Sequence, residues 1–435
     1  MISKHNFFGL LFFALPLISF SQENSPYSRY GIGNLSPTGN ILNRGMAGIS
    51  AGIADPATVN SVNPASYSNL IYTTLDIGAE VASRTLKSDE QGKFTSSNAI
   101  VPYLQLGIPL LNGNKKAIKN NVSWGLNFGL RPVSKINYKI SSSTRLPNID
   151  SITSLHEGNG GVNEAFAGTG LRIKNFSFGI NAGYLFGNKD YSTRIIFVND
   201  SVQYYKSNSA TTTNFGGLFV SGGVQYMSKI KGGLFRVGAY GNLKQNYTAS
   251  QDVLRETFDY NASTGNPDKI DSVYQENDIK GKIILPAKFG IGFSIEKTHI
   301  LLGADFEMTN WDAYRFYGQR DLVKNSWMVK AGVQYLPVTT ESKKYWDFVK
   351  YRAGIYFGPD YITAGNKLPQ YGVSIGAGFP LRLRRSFYET QYSVMNIAAE
   401  YGNRGNNNNN IRESILRISV GFSLSDVWFR RYKYD

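Results

Sequence analysis

The stretch NFSFGINAGYLF, Asn175–Phe186, divides into two faces at every second residue. Phe176, Phe178, Ile180, Ala182, Tyr184 and Phe186 fall on one face; Asn175, Ser177, Gly179, Asn181 and Gly183 fall on the other. Period two is the mark of a β-strand whose faces meet different surroundings, one greasy and one small or polar. The split recurs in NVSWGLNFGL, where Val122, Trp124, Leu126, Phe128 and Leu130 oppose Asn121, Ser123, Gly125, Asn127 and Gly129. It recurs again in YGVSIGAGF (371–379), in HILLGADFEMT (299–309) and in the closing ILRISVGFSLSDVWF (415–429).

Alternation alone suits a soluble β-sandwich, with its apolar face inward, as well as a membrane barrel with that face outward. Loop lengths supply a second test. The pattern predicts fourteen strands, near 70–86, 94–110, 120–131, 162–174, 175–187, 213–228, 232–248, 287–297, 299–311, 325–336, 348–358, 369–381, 390–403 and 412–424. Tight connections at Lys174-Asn175, Lys229 to Lys231 and Lys297-Thr298 alternate with long ones at 132–161, 188–212, 249–286 and 312–324. Short turns at one end and long loops at the other are the wiring of an outer-membrane barrel. The fold expected is therefore all-β: a transmembrane antiparallel barrel of about 14 strands. Asn406–Asn410 form a polar tract at one loop tip, read as a solvated loop.

Residues 1–21 read as an export signal: Lys4 and His5, an apolar run from Phe7 to Ile18, then Ser19-Phe20-Ser21 as a cleavage site. No cysteine is present, which excludes a lipid anchor through a first cysteine and any disulfide. No later apolar run reaches 18 residues, so only a closed barrel could span a membrane. The 45 glycines, 28 tyrosines and 26 phenylalanines suit aromatic girdles and a tightly packed lumen. The formal charge of +15 is scattered, so attraction to anionic outer-membrane lipid and lipopolysaccharide headgroups, or plain solubility, is favoured over nucleic acid.

Ahead of the first strand lies RGMAGISAGIADPATVNSVNPASYSNL, Arg44–Leu70, dominated by small residues, with Pro56 and Pro64 unsuited to a central strand. A lumen fourteen strands around has room for such a segment, so residues 22–69 are expected to form an N-terminal hatch and 70–435 the barrel. The order Arg44-Gly45-Met46-Ala47-Gly48, Asp55, Asn63-Pro64-Ala65 resembles the hatch of the long-chain fatty-acid transporter (FadL-like) family of outer-membrane proteins. LPAKFGIGFSIEKTHILLGADFEMTNWDAY, Leu285–Tyr314, is similar to that family as well, and SPYSRYGIG, Ser25–Gly33, looks like its Bacteroidota versions. The resemblance implies a hatch-closed barrel that passes hydrophobic ligands through an opening in its wall. It also implies Asn63, Pro64 and Ala65 as the hatch motif, with Gly45 and Gly48 as its flexible approach. Pro56 after Asp55 departs from the family pattern.

No chemistry of bond-making is visible. His5, His156 and His299 are the only histidines, and no phosphate loop, metal-ligand pair or nucleophile elbow occurs, so neither an enzyme nor a cofactor is expected. Lys288, Asp305, Glu307 and Arg352 are expected to face the lumen, as structural ion pairs or as part of a substrate path. Two functions fit: a passive outer-membrane channel for hydrophobic or amphipathic small molecules, gated by the hatch, or a non-transporting barrel subunit that binds partners in an outer-membrane protein machine, as relatives do in type IX secretion. PVTTESKKYWD, Pro337–Asp347, and the long loops would suit partner contacts.

Overall fold

The computed structural model describes residues 24–88, 92–111, 120–145, 151–198, 204–261, 263–338, 342, 344–363, 366–381 and 392–427. The export signal expected at 1–21, Trp428-Phe429 and part of 337–347 lie outside them. Fourteen antiparallel strands close into one barrel. The first seven are β1 (Thr73–Ser88), β2 (Gly92–Ile100, resuming as Leu104–Pro109), β3 (Val122–Arg145), β4 (Ser151–Ile173), β5 (Phe176–Val198), β6 (Lys206–Ile230) and β7 (Gly233–Asn242, resuming as Gln245–Tyr260). The rest are β8 (Pro267–Leu285, resuming as Lys288–Lys297), β9 (Ile300–Thr309), β10 (Ser326–Tyr335), β11 (Lys350–Pro359), β12 (Pro369–Pro380), β13 (Tyr392–Arg404) and β14 (Ile411–Asp426). Closure comes from β14 on β1, in register from Ile411 opposite Ser88 to Asp426 opposite Thr73.

The barrel is inside out relative to a soluble sheet. On β5, Phe176 and Phe178 are 53% and 51% exposed, whereas Ser177 and Asn181 are 3% and 2% exposed. The same inversion holds around the wall, with Ile291, Ile355, Ile375 and Ile418 outward and Asp76, Glu80, Gln105, Asn127, Asp305 and Arg352 inward. Such a continuous apolar exterior would aggregate in water and is stable in hydrocarbon, and closure leaves few unpaired backbone groups.

The loop test needs correction. Segments 132–161, 188–212 and 249–286 are mostly strand: β3 and β4 pair out to Arg145 opposite Ser151, and β7 and β8 pair out to Tyr260 opposite Pro267. What is long at that end is the strands, joined by short connections, and 110–121, 336–349 and 381–391 are long connections at the other end. Polar sequence there reflects strands rising beyond the apolar belt, where the outward face is no longer greasy, although Ser134, Ile136 and Tyr138 on the inner face of β3 stay buried. The connection 310–325 does remain a loop, holding a short turn at Trp311–Ala313 and a two-residue strand at Arg315–Phe316. In the asparagine tract, Asn409 is buried and accepts from the Asn406 backbone N–H, so the tip is an ordered turn and not fully solvated.

Two breaks interrupt the wall. Lower β2 pairs with β3 from Leu104 opposite Leu130 to Pro109 opposite Gly125, but upper β2 has no β3 partner among the described residues. Upper β3 pairs instead with Asn34–Leu35 of the N-terminal segment. Asn24 bridges the same seam, its backbone N–H donating to Ser96 Oγ and its side chain to the Lys139 carbonyl. The second break lies between β6 and β7, where pairing runs from Thr248 opposite Gly216 and resumes only at Gly241 opposite Gly222.

Candidate functional site: the filled lumen

Most of residues 24–72 lie inside the barrel, and every residue of 39–53 is buried. A single helical turn, α1 (Ile41–Arg44), starts where the Asn40 side chain accepts from the Asn43 N–H, the usual service of an asparagine N-cap. Gly48 then reverses the chain at φ +79°, a conformation that glycine adopts without strain. Further on, Asn63 caps a second turn, Pro64–Asn69, accepting from the Ala65 N–H, with Pro64 at the first position, where its missing donor costs nothing.

The segment is fastened to the wall at many points. Arg44, 4% exposed, forms an ion pair with Glu80 of β1 and donates to the Gly39 and Pro37 carbonyls at 3.2 and 2.8 Å. Asp305 of β9 accepts from the Ser50 and Ala51 N–H groups at 2.5 and 2.9 Å. Asn63 donates to the Ala51 carbonyl at 2.8 Å, and Tyr67 donates to Asn181 of β5 at 2.8 Å. Asp55 caps the Ala57 N–H and reaches Lys350 of β11 at 3.5 Å. Burial raises the phenols of Tyr27 and Tyr67, the former to about 12, so both stay protonated donors.

The small-residue face of the wall exists for this contact. A Cβ on Gly179 would lie 2.2 Å from the Pro64 carbonyl carbon, and one on Gly238 would lie 1.8 Å from the Ala51 oxygen. Gly125 likewise abuts the Tyr67 carbonyl, whereas Gly129 and Gly183 make room for Phe166 of the wall itself. Gly45 approaches Gly376 of β12.

Of the four lumen charges read from sequence, Lys288 and Glu307 pair at 3.0 Å, and Lys330 reaches the same Glu307 at 3.4 Å. Arg352 donates to Gln334 and Asn396, each at 2.8 Å, and Asp305 serves the N-terminal segment. The four thus do not form one cluster. His156 lies on β4 against Thr193 at 3.0 Å rather than in a loop, with Glu157 paired to Lys139 at 2.8 Å. His299 contacts the Leu336 carbonyl at 2.9 Å. Among the described residues, no group of His, Asp and Glu could hold a metal ion.

Above α1 lies a cavity of about 280 Å³. Ile32, Leu185, Phe219, Tyr247, Leu285 and Trp311 line its apolar side. Its charges are matched: Arg131 with Glu164, Lys288 with Glu307, and Arg404 with Asp360 and Glu413 at 2.8 and 3.2 Å. A chamber whose cations are already neutralised offers mainly apolar surface to a guest. It is roofed by Trp311 stacked on Tyr361, with ring centroids 4.1 Å apart, and bordered at one wall break by Asn34, Leu35 and Ser36 and at the other by Phe219, Ser221 and Gln245. Sequence reading missed Glu80 and Glu413, although Asp76, Glu80 and Arg84, four apart on one strand, share a face that alternation could have marked as inward. Nothing local pointed to residues 34–36 closing the wall.

Solved structures of similar architecture include hydrocarbon channels and transporters. The Pseudomonas putida toluene transporter TodX shares 13% identity at a TM-score of 0.57, covering 91% of this chain and 100% of its own. The Ralstonia pickettii toluene transporter TbuX shares 13% identity at a TM-score of 0.52, covering 90% and 99%. The CymD monoaromatic hydrocarbon channel shares 13% at 0.52, covering 92% and 100%. At that identity the likeness concerns the fold, a closed fourteen-stranded barrel. No curated protein matches the sequence. The family model described as BamG matches residues 1–435, the whole chain, which therefore belongs to the BamG family.

Proposed function

We propose that this chain is an outer-membrane channel for passive uptake of hydrophobic or amphipathic small molecules, exported by a signal at 1–21, with residues 22–69 acting as a gating hatch inside a barrel formed by 70–435. The observation that carries this reading is the roofed, largely apolar chamber, which meets the wall at two places where strand pairing lapses. With Trp311 and Tyr361 over the chamber and the hatch beneath it, a hydrophobic guest has its shortest path through the wall. Gly45 and Gly48 give the approach its flexibility, and Asp55, Asn63, Pro64 and Ala65 hold the plug. The lipid surroundings and a source in Bacteroidota fit the apolar exterior and the SPYSRYGIG opening.

Reconstituted into liposomes, the full-length barrel should speed entry of a monoaromatic hydrocarbon about tenfold over protein-free vesicles. Ser221→Trp, which fills the chamber beside the β6–β7 break, should return the rate close to that of empty vesicles. Equal rates with and without the wild-type barrel would remove the channel reading.

A second reading has its own support: the many buried hydrogen bonds and ion pairs that fasten the segment suit a barrel that stays closed and serves as a partner-binding subunit. The upper β7–β8 hairpin, whose β8 edge has no strand partner among the described residues beyond the point where Tyr317 donates to the Lys282 and Ile279 carbonyls, would offer such a partner a strand to extend.

A further inference from the structure

At the end of the barrel where the chain turns at Lys174-Asn175, a second cavity of about 550 Å³ opens beneath the N-terminal segment. Three cations line it, Arg172 of β4, Lys229 of β6 and Arg236 of β7, against one carboxylate, Glu296 of β8. Register brings their strands into one arc of wall, with Arg172 opposite Ser177, Met227 opposite Arg236, and Arg236 opposite Ser294. Arg236 is 6% exposed, yet its Nε has no hydrogen-bond acceptor among the described residues. Its nearest carboxylate oxygen, on Glu296, is 4.0 Å away, and its other contact is a weak one to the Met227 sulfur at 3.7 Å. Arg172 gives one bond, 3.0 Å to the Asn69 side chain, and its Nε is likewise unmet. Buried arginines normally have their planar donor set satisfied, because an unmet buried donor destabilises the fold and a charged one does so more strongly. Here two guanidinium groups and an ammonium face one cavity with donors to spare.

We infer that this mouth is an oxyanion-binding site, taking a carboxylate or phosphate on the paired forks of Arg172 and Arg236. Guanidinium groups match both anions in bidentate geometry, and desolvation around Arg236 strengthens the contact. Leu70, Ile71 and Leu234 share the lining, so a short apolar chain attached to the anion has a place to lie. Because Asn69 of the N-terminal segment holds Arg172, a bound anion would sit directly between segment and wall. This site is separate from the apolar chamber above α1, where each cation named there has a carboxylate partner, and it stands whether or not the barrel conducts.

The test is calorimetric titration of the full chain in amphipol with octanoate, octanol and inorganic phosphate, repeated on Arg172→Gln and Arg236→Gln, with heat-modifiable gel migration checking that each variant is folded. One octanoate should bind per chain, at least tenfold more tightly than octanol, and each variant should weaken it at least tenfold. Octanoate binding more tightly than phosphate identifies the anionic head of an amphiphile as the ligand; phosphate binding equally well, with the same loss in both variants, identifies a free oxyanion. Absence of binding by both anions, or binding left unchanged in both folded variants, overturns the site.

Discussion

Replacing Arg44 with alanine should loosen the N-terminal segment more than any other single change in it, sensitising cells to large antibiotics that the closed barrel excludes. Arg44 and Glu80 are both almost fully buried, and Glu80 also accepts from Ser419 of β14 at 3.1 Å. Removing one partner of a buried pair costs about 3–5 kcal/mol where the other charge is left alone, against roughly 0–1 kcal/mol for an exposed pair; Glu80 keeps Arg417 at 3.8 Å, which places the loss toward the lower end of the buried range. That cost falls on the contact between segment and wall, because the barrel closes by backbone pairing that the substitution leaves intact. Arg44→Ala should therefore keep normal abundance and heat-modifiable migration while residues 39–53 become open to protease. The pair substitution Arg44→Met with Glu80→Met, which leaves no orphan charge, should recover much of the protection. Retained protease resistance in Arg44→Ala would show that the pair does not anchor the segment.

The second large effect is expected from changing Asn63 and Pro64 together to alanine. Asn63 makes three separate contacts, accepting from the Ala65 N–H and donating to the Ala51 carbonyl at 2.8 Å and to Val224 of β6 at 3.3 Å. Losing an asparagine cap costs about 0.5–2 kcal/mol, and replacing proline restores backbone freedom to the unfolded segment. The double variant should raise permeability to large antibiotics at normal barrel abundance, with the increase reversed by a wild-type copy. Permeability equal to wild type would separate this motif from gating and leave it a packing element.

Much of the architecture could be read from sequence because a membrane barrel writes its environment into every second residue. Phe176, Phe178 and Ile180 against Ser177, Gly179 and Asn181 mark two faces, although not which one meets lipid; burial of the polar set decides that. Strand extensions beyond the belt were hidden, since Thr211, Thr212 and Thr213 on β6 have no apolar alternation to announce pairing. The small residues of the wall were legible as a tightly packed face, and their need for small size appears directly where Gly179 meets Pro64 and Gly238 meets Ala51. The contacts that fasten the N-terminal segment were not legible, because Arg44–Glu80 and Ser50–Asp305 join residues 36 and 255 positions apart and depend on the closed register of the wall. The wall breaks were hidden for a related reason: pairing of Leu35 with Ser134 is a long-range exchange with no local sequence signature.

The most direct test of the central claim, a hatch-filled barrel that carries small hydrophobic guests, is native mass spectrometry of the chain extracted from its own outer membrane in mild detergent. Ligands and co-purifying chains are identified in the same spectrum. A single barrel retaining an acyl or aromatic ligand, lost on Ser221→Trp, is the result the channel account predicts. Stoichiometric protein partners around a barrel with no bound small molecule would contradict it and assign the chain to an outer-membrane assembly as a structural subunit.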